Sequence, residues 1–224
     1  MIHIVYRTYK AITDNKPRPN WFSKEKCFTS IVNPIVNSNN FKLHILFNGE
    51  KHDSQYRPEL LRYDINYIPG DTAAESYVNA IKYVCNLPEM DWVYLVEDDY
   101  LHHPDWANVL VNMTKLNTYI TLYDHPDKYD KGMYPDLKSE LTRIDNILVR
   151  TTPSTTDTFC VSVKLFKEDY NVHYQFSDGV KYSKDHERFS YLVSNKNRKI
   201  YSPIPGYSVH CHEPYCNVRE DYFD

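Results

Sequence analysis

DWVYLVEDDYLHHPDW, residues 91–106, places three consecutive acids at the end of an apolar run. Residues 92–96 form a continuous apolar stretch of strand length, which predicts a central parallel strand that is buried on both faces. In open parallel α/β sheets, ligands bind beyond the carboxyl ends of the strands. We therefore expect Glu97, Asp98 and Asp99 at the ligand-binding edge of such a sheet.

The three acids need a physical reason to lie side by side. Neighbouring carboxylates raise one another's pKa unless a cation is present. Mg²⁺ and Mn²⁺ prefer oxygen ligands of this type. A solvated turn after a strand is the simpler interpretation, but the apolar run fixes the register of the acids and favours a metal site.

Strand-like and helix-like segments alternate through the first half of the chain. This alternation predicts an α/β fold with a Rossmann-like, mostly parallel sheet flanked by helices. Thr72 and Glu75 have the spacing of a capping box at the start of a helix. The predicted strands are residues 2–6, 42–47, 65–68 and 92–96, and the predicted helices are residues 21–36, 72–86 and 105–116.

The second half has a different composition. Residues 123–140 are rich in Asp, Tyr, Pro and Lys and show no periodicity, which predicts a long surface loop. A small additional antiparallel element is expected in this half. The strands predicted in the second half are residues 144–150, 157–163 and 199–202, and the helices predicted there are residues 165–170 and 185–194.

Composition and charge exclude several classes of protein. The 224 residues carry a formal net charge of −4 with acids and bases interspersed, so the basic face that nucleic-acid binding requires is lacking. The sequence contains no run of about 18 apolar residues that would predict a membrane span. MIHIVYRTYK at the amino terminus is typical of a strand and not of a signal peptide. Five scattered cysteines indicate reduced thiols and a cytoplasmic location.

PGDTAAESYVNAIKYVCNLPEMDWVYLVEDDYLHHPDW, residues 69–106, resembles the central part of GT-A glycosyltransferases. The likeness lies in the order of features: a helix with a late Asn, a short linker, an apolar strand, a DxD-type acidic triplet and a helix that begins after a proline. It extends to RTYK at residues 7–10 and to PIPGYSVHCHEPY at residues 203–215. Small glycosyltransferases encoded by large DNA viruses and phages are similar, and a protein of that kind would act in a host cytoplasm.

The resemblance implies a single GT-A-like catalytic domain over residues 1–224. Its nucleotide-binding half would be residues 1–100 and its acceptor half residues 101–224. The implied activity is an inverting, metal-dependent transfer of a sugar from a nucleotide-diphosphate donor, with a UDP-sugar favoured, to a hydroxyl of a glycan or glycoprotein. Mn²⁺ or Mg²⁺ is the implied cofactor.

Metal ligands follow from the same resemblance. Asp99 would coordinate the metal together with His210, and Asp98 would be a further ligand. His212 is the alternative to His210. HCHEPYC, residues 210–216, could instead suggest zinc, but its His and Cys residues lack the separated pairs of structural zinc sites.

An inverting transferase also needs a carboxylate that removes the acceptor proton during attack. In the family this base belongs to an acidic pair at the start of a late helix, which matches SKDHERF, residues 183–189. Asp185 is the candidate base, Glu187 is the second choice and Asp178 is the third. Asp185 could equally be a helix N-terminal acid that the helix dipole favours.

Donor contacts are implied around the first strand and the acids, namely for Arg7, Thr8, Tyr9, Asn48, Asn79, Glu97 and Asp98. Asn48 stands where family members often have an Asp that reads the base, and Val78 stands where many have Arg. The donor diphosphate would therefore depend more heavily on the metal for charge neutralisation.

Two other functions are compatible with the sequence. A metal-dependent phosphoesterase or nuclease would use the same acids, but it normally needs more carboxylates at strand ends to hold two ions. A noncatalytic nucleotide-sugar-binding module would keep the same fold. For a transferase, Tyr123, Tyr129 and Tyr134 of the long loop are candidates to cover or form the acceptor site, because tyrosine offers an apolar face and a hydroxyl.

Overall fold

Nine strands of the described chain form one mixed sheet at the centre of the molecule. The computed structural model describes residues 1–10, 16–130, 132–213 and 215–223. Across the sheet the strands are β3 (Ile65–Ile68), β2 (Phe41–Asn48), β1 (Ile2–Tyr9), β4 (Trp92–Glu97), β9 (Phe159–Ser162), β6 (Tyr119–Ile120), β10 (Ile200–Pro203), β8 (Ile147–Thr151) and β7 (Leu141–Ile144). β8 and β9 run opposite to the other strands, so the predicted mostly parallel sheet is confirmed.

Helices cover both faces of this sheet and bury an apolar core on each. One core packs against α1 (Lys24–Val32) and α3 (Trp106–Met113). The other packs against α2 (Ala73–Val84), α4 (Val163–Glu168), α5 (Tyr170–Gln175) and α6 (Asp185–Lys196). In the described part of the chain, no helix combines the length and the apolar character needed to cross a membrane.

β4 lies between these cores and contributes side chains to both. Tyr94 and Val96 belong to the core under α1 and α3, and Val93 and Leu95 belong to the core under α2 and α6. This alternation follows from the two-residue period of a strand. It fixes the direction in which the acids that follow the strand can point.

A small second sheet brings the carboxy-terminal part of the chain to these acids. β5 (Tyr100–His102) starts directly after Asp99 and pairs antiparallel with β11 (Ser208–His210). In this register Tyr100 lies opposite His210. A small antiparallel element is thus present, as predicted, but its strands are not among those predicted, and β5 comes from the first half of the chain.

Local signals predicted the start of α2 correctly. The Thr72 hydroxyl accepts a hydrogen bond from the Glu75 amide at 3.1 Å, and the Glu75 carboxylate accepts one from the Thr72 amide at 3.0 Å. This is the capping box that the spacing predicted. β3 also has the predicted bounds.

Other segments differ from the prediction. The helix predicted over residues 21–36 begins only after Ser23, whose side chain caps α1, and ends in a 3₁₀ turn at Asn33–Ile35 that contains a proline. The strand predicted over residues 144–150 begins later, as β8, because Asp145 adopts a left-handed conformation (φ +51°) and reverses the chain between β7 and β8. β5, β6 and β11 were not predicted, since two or three residues are too few to show a period.

Residues 123–130 and 132–140 of the predicted loop lack strands and α-helices, as predicted, and include one 3₁₀ turn at Pro126–Lys128, while Lys131 lies outside the described residues. The loop is not uniformly exposed. Tyr123 is buried, and its hydroxyl donates to the Tyr215 carbonyl at 2.9 Å. The beginning of this loop therefore packs against the carboxy-terminal segment.

Candidate active site

The three acids after β4 point into three different environments. Glu97 continues the side of β4 that carries Val93 and Leu95, and Asp98 continues the side of Tyr94 and Val96. Asp99 lies in the turn that leads into β5. The three acids therefore have three different sets of partners. The acids themselves lie at the carboxyl edge of the sheet, where the sequence predicted them.

Asp98 is a buried carboxylate that the chain's own cations neutralise. Its Oδ2 accepts hydrogen bonds from the Thr8 hydroxyl at 2.5 Å, the Lys24 ammonium at 2.8 Å and the Arg57 guanidinium at 3.2 Å. Arg57 is also paired with Glu59, at 2.6 Å from Nε to Oε1. Lys24 and Arg57 were not predicted from the sequence, because α1 and the 3₁₀ segment that precedes Arg57 contribute them from distant positions.

Asp99 faces a second group of cations and the predicted histidine. Its Oδ2 lies 3.1 Å from His210 Nε2, 2.9 Å from Arg18 Nη2 and 3.5 Å from Lys16 Nζ. Burial alone would raise the pKa of Asp99, but His210, Lys16 and Arg18 outweigh it and hold the pKa well below its usual range. Asp99 is therefore ionised across the neutral range.

His210 reaches Asp99 because β11 pairs with β5. The two residues are 111 positions apart in the chain. The His210 ring stacks on Tyr100, with a centroid separation of 4.8 Å and an interplanar angle of 2°. His212, the alternative ligand, lies beside His210 with ring centroids 5.5 Å apart. The structure thus brings together two of the three side chains that the resemblance assigned to a metal, whereas the third, Asp98, binds Thr8, Lys24 and Arg57 instead.

The separation of Asp99 and His210 fits a divalent ion. Neighbouring ligands of an octahedral ion at about 2.1 Å lie about 3 Å apart, and Asp99 Oδ2 and His210 Nε2 are separated by 3.1 Å. No group of three or more His, Cys, Asp or Glu within the described ranges is arranged to hold a metal. The protein would therefore provide two ligands, and a bound substrate and water would provide the others.

Glu97 takes part in a separate ion-pair network. Arg7 Nη2 lies 3.2 Å from Glu97 Oε1 and 3.5 Å from Asp157 Oδ2. Arg188 Nη2 donates to Asp157 Oδ1. We name the set of Glu97, Arg7, Asp157 and Arg188 the arginine network. The sequence predicted Asp157 only as the first residue of the strand at residues 157–163, so its role was missed; it lies in the connection before β9.

Two carboxyl groups at this network have raised pKa values. Burial raises the pKa of Glu97 to about 7; Arg7 opposes this shift, and Asp157 and Asp99 add to it. Burial also raises the pKa of Asp185 to about 6, with repulsion from Asp157 as the second cause. Perturbed carboxyl groups of this kind are typical of functional sites.

Several other predicted residues have contacts that fix their side chains. The Tyr9 ring lies under Lys24 Nζ at 3.6 Å. Asn79 Nδ2 donates to the Pro69 carbonyl at 2.7 Å and so ties α2 to the loop after β3. Asn48 Oδ1 is buried at the end of β2 without a hydrogen-bond partner among the described residues.

Candidate bases differ in their surroundings. Asp185 begins α6 and is half-buried, Glu187 in the same turn is exposed, and the Asp178 amide donates to the Tyr174 carbonyl at the end of α5. The Tyr134 hydroxyl lies 3.0 Å from His186 Nδ1. The long loop therefore reaches the start of α6, next to the first-choice base.

Comparisons with known proteins show the fold. The sequence matches no family model and no curated protein sequence. Among solved structures, it is similar to 4-diphosphocytidyl-2C-methyl-D-erythritol synthase from Anaerococcus prevotii DSM 20548, with a TM-score of 0.52 and 13% identity over 99% of this chain and 92% of that chain. It also matches S. aureus TarS, residues 1–349, with a TM-score of 0.48 and 14% identity over 90% of this chain and 57% of that chain. The first likeness supports the GT-A-like class of α/β fold predicted from the sequence.

Proposed function

We propose that this protein is a glycosyltransferase that moves a sugar from a nucleotide-diphosphate donor, with a UDP-sugar favoured, to a hydroxyl of a glycan or glycoprotein. One observation carries the proposal: Asp99 and His210 meet at 3.1 Å beyond the carboxyl end of β4. Ligands of open α/β sheets bind at this edge. The similar solved structure is named as the synthase of a diphosphocytidyl compound, which is itself a nucleotide diphosphate joined to an alcohol.

Charge neutralisation of the donor diphosphate would fall to groups around Asp99. Asp99 and His210 would hold Mn²⁺ or Mg²⁺, and such an ion, when bound, supplies Lewis-acid stabilisation of the leaving diphosphate. Lys16 and Arg18 lie against the same carboxylate and add two positive charges. These cations would offset the absence of the arginine that many family members have at the position of Val78.

The remaining donor contacts would come from the edge of β1, β2 and β4. Arg7 and Glu97 lie together at the strand ends, and Thr8 and Tyr9 surround the Asp98–Lys24 pair. The buried, unpartnered oxygen of Asn48 is the best candidate to accept a hydrogen bond from the nucleobase. Asn79 binds the Pro69 carbonyl and Asp98 binds Lys24, so they would act by fixing the surrounding backbone and cations.

Asp185 is the proposed base of an inverting reaction. A base works best when its pKa lies near the operating pH, and the pKa of Asp185 is raised to about 6. It would remove the proton of the acceptor hydroxyl as that oxygen attacks the sugar. Glu187 remains the second choice, although its exposure gives it no comparable surroundings.

A panel of nucleotide sugars, incubated with the protein and Mn²⁺, tests the proposal through release of free nucleoside diphosphate. We expect turnover of at least one donor and its loss in Asp185→Asn. Cleavage of a plain phosphodiester without donor turnover would identify a phosphoesterase instead. Donor binding without transfer or hydrolysis, over varied acceptors, would identify a binding module.

A further inference from the structure

Asp157 lies at the centre of the arginine network. It is 7% exposed, and each of its carboxylate oxygens faces a different guanidinium. Oδ1 accepts from Arg188, and Oδ2 lies 3.5 Å from Arg7. The two guanidinium groups also contact the Tyr77 ring, at 5.1 Å for Arg7 and 4.5 Å for Arg188. One carboxylate therefore sets the position of both arginines.

Each arginine connects Asp157 to one of the carboxyl groups with a raised pKa. Arg7 reaches Glu97 at the end of β4. Arg188 belongs to α6, the helix that Asp185 begins, and its Nη1 donates to the Ser183 hydroxyl at 2.7 Å. The Ser183 hydroxyl in turn donates to Asp157 Oδ1 at 3.3 Å. The start of α6 is thus anchored to Asp157 from two sides.

The ion pairs of Asp157 with Arg7 and Arg188 leave donor atoms unsatisfied, so a more stable arrangement of these groups is conceivable. In the described part of the chain, the Nε atoms of Arg7 and Arg188 are buried without a hydrogen-bond partner. Arg198 differs, because it binds Asp169 through Nε at 2.9 Å and Nη2 at 3.0 Å. Unsatisfied buried donors cost free energy and require an explanation. Arg188 makes as many hydrogen bonds as Arg198, but through Nη1 and Nη2 alone, so a requirement for placing the carboxyl groups explains why its Nε is left unpaired.

We propose that Asp157 is the positioning residue of this site, holding Asp185 through Ser183 and Arg188 and holding Glu97 through Arg7. The inference rests on the proposed function for its catalytic meaning. Asp157 does not touch the reacting atoms. It sets the distance between the two edges of the site and adds a negative charge beside Asp185.

The groups that face Asp185 are on several elements. Asp157 and Arg188 act on it most strongly after burial, Glu187 follows it in α6, and Tyr77 of α2 and Tyr134 of the long loop lie within its field. The His186 amide donates to Asp185 Oδ1 at 2.7 Å. Asp157 and Glu187 are the negative groups in this set, and Asp157 is the stronger of the two. Its neutralisation should therefore favour the ionised form of Asp185.

Asp157→Asn tests this effect, with Asp169→Asn as the matched control. Both substitutions neutralise a buried aspartate that an arginine holds, but Asp169 pairs with Arg198 and Tyr119, outside the arginine network. A carboxyl NMR titration of aspartate-labelled protein follows Asp185, whose signal is identified by its loss in Asp185→Asn. We expect the Asp185 pKa to fall by about one unit in Asp157→Asn and to stay unchanged in the control.

The pH dependence of kcat/KM provides the second measurement. The acidic limb of the profile should move to lower pH with the NMR pKa in Asp157→Asn and should not move in Asp169→Asn. An unchanged Asp185 pKa would overturn the proposal. A moved pKa with a fixed acidic limb would overturn the link between Asp157 and the reaction.

Asp157→Glu provides the test if the Asn variant does not fold. It keeps the charge and displaces the two guanidinium groups, so the Asp185 pKa should stay near its original value while kcat falls at least about tenfold, since small misplacements of reacting groups are costly. An unchanged kcat would contradict the positioning role. If no donor is turned over by the unmodified protein, the proposed function fails, whereas the NMR titration still decides whether Asp157 controls Asp185.

Discussion

The two ends of β4 each carry a histidine–carboxylate pair of nearly the same geometry. At the amino end, His3 Nε2 lies 3.0 Å from Asp91 Oδ2. At the carboxyl end, His210 Nε2 lies 3.1 Å from Asp99 Oδ2. The pair distances alone therefore do not distinguish a functional site from a structural one. The surroundings of the two pairs do distinguish them.

The amino-end pair is closed by two uncharged side chains and by the amino terminus of the chain. His3 Nδ1 lies 2.8 Å from His44 Nε2, and His44 Nδ1 lies 2.8 Å from the Tyr83 hydroxyl. The amino terminus of Met1 lies 3.2 Å from the other oxygen of Asp91. Every ring nitrogen of both histidines thus has a partner, as in a satisfied structural network.

The carboxyl-end pair lies among charges that a stable fold would not need. Lys16, Arg18, Lys24 and Arg57 converge on two neighbouring acids. Close by, two further carboxyl groups have raised pKa values. Concentrating charge in this way costs desolvation free energy. The difference between the two ends therefore indicates function at the carboxyl end and structure at the amino end.

Substitution of Asp98 should have the largest effect, and this effect is on stability. At the carboxyl end, we expect Asp98 to have a structural role and Asp99 to act in the reaction. Asp98→Asn leaves Lys24 and Arg57 buried without their shared counter-ion, which should lower the free energy of unfolding by about 3–5 kcal/mol. Urea unfolding measures this loss of stability. Asp91→Asn is the control, because it removes only a partly solvated pair and should cost about 1–2 kcal/mol. Equal losses in the two variants would contradict the structural role of Asp98.

Asp99 gives the next largest effect and tests the comparison directly. Asp99→Asn should lower kcat for donor turnover by about 10²-fold, because a proposed ligand of the cation that would stabilise the departing diphosphate is lost. Asp91→Asn, at the opposite end of the same strand, should leave kcat within about twofold of the original once the folded fraction is corrected for. Initial rates at saturating donor and metal measure both. Comparable losses in the two variants would remove the distinction between the ends.

The sequence was informative about the carboxyl end only where a single segment carries the signal. The apolar run of β4 fixed the place of Glu97, Asp98 and Asp99, and the capping box fixed the start of α2. The pairing of His210 with Asp99 depends on β5 and β11, which have three residues each and show no pattern of their own. Only the resemblance to a family connected those two positions.

Residues that act through distant contacts escaped the sequence analysis. Lys24 and Arg57 were missed because a charged residue in a helix or loop is usually solvated, whereas both are buried here against Asp98, which is distant in the sequence. Asp157 was missed because it was predicted as the first residue of a strand, and its contacts with Arg7 and Arg188 come from distant parts of the chain. At the amino end, His3 and His44 sit in predicted strands, but their contact depends on the parallel pairing of β1 with β2.

His44 gives the smallest expected effect and tests whether the amino end is only structural. Burial lowers the pKa of His44 from 6.5 to about 4, and repulsion from His3 acts in the same direction. The unfolded chain therefore binds a proton at a higher pH than the folded protein does. The stabilisation that follows is complete above pH 6.5 and is lost as the pH falls toward 4, by about 1.4 kcal/mol per pH unit.

His44→Gln removes this titration while it keeps a neutral side chain that can hydrogen-bond. Between pH 7 and pH 5, the free energy of unfolding should therefore fall by about 2 kcal/mol less in the variant than in the original protein. Urea unfolding at the two pH values measures the difference, and the contributions of His102 and His173, whose pKa values are also lowered by burial, cancel between the proteins. Donor turnover should be unaffected at pH 7, since His44 lies at the opposite end of the sheet from Asp99. If His44→Gln abolished donor turnover and left the pH dependence of stability unchanged, the amino end would have a functional role, contrary to the comparison.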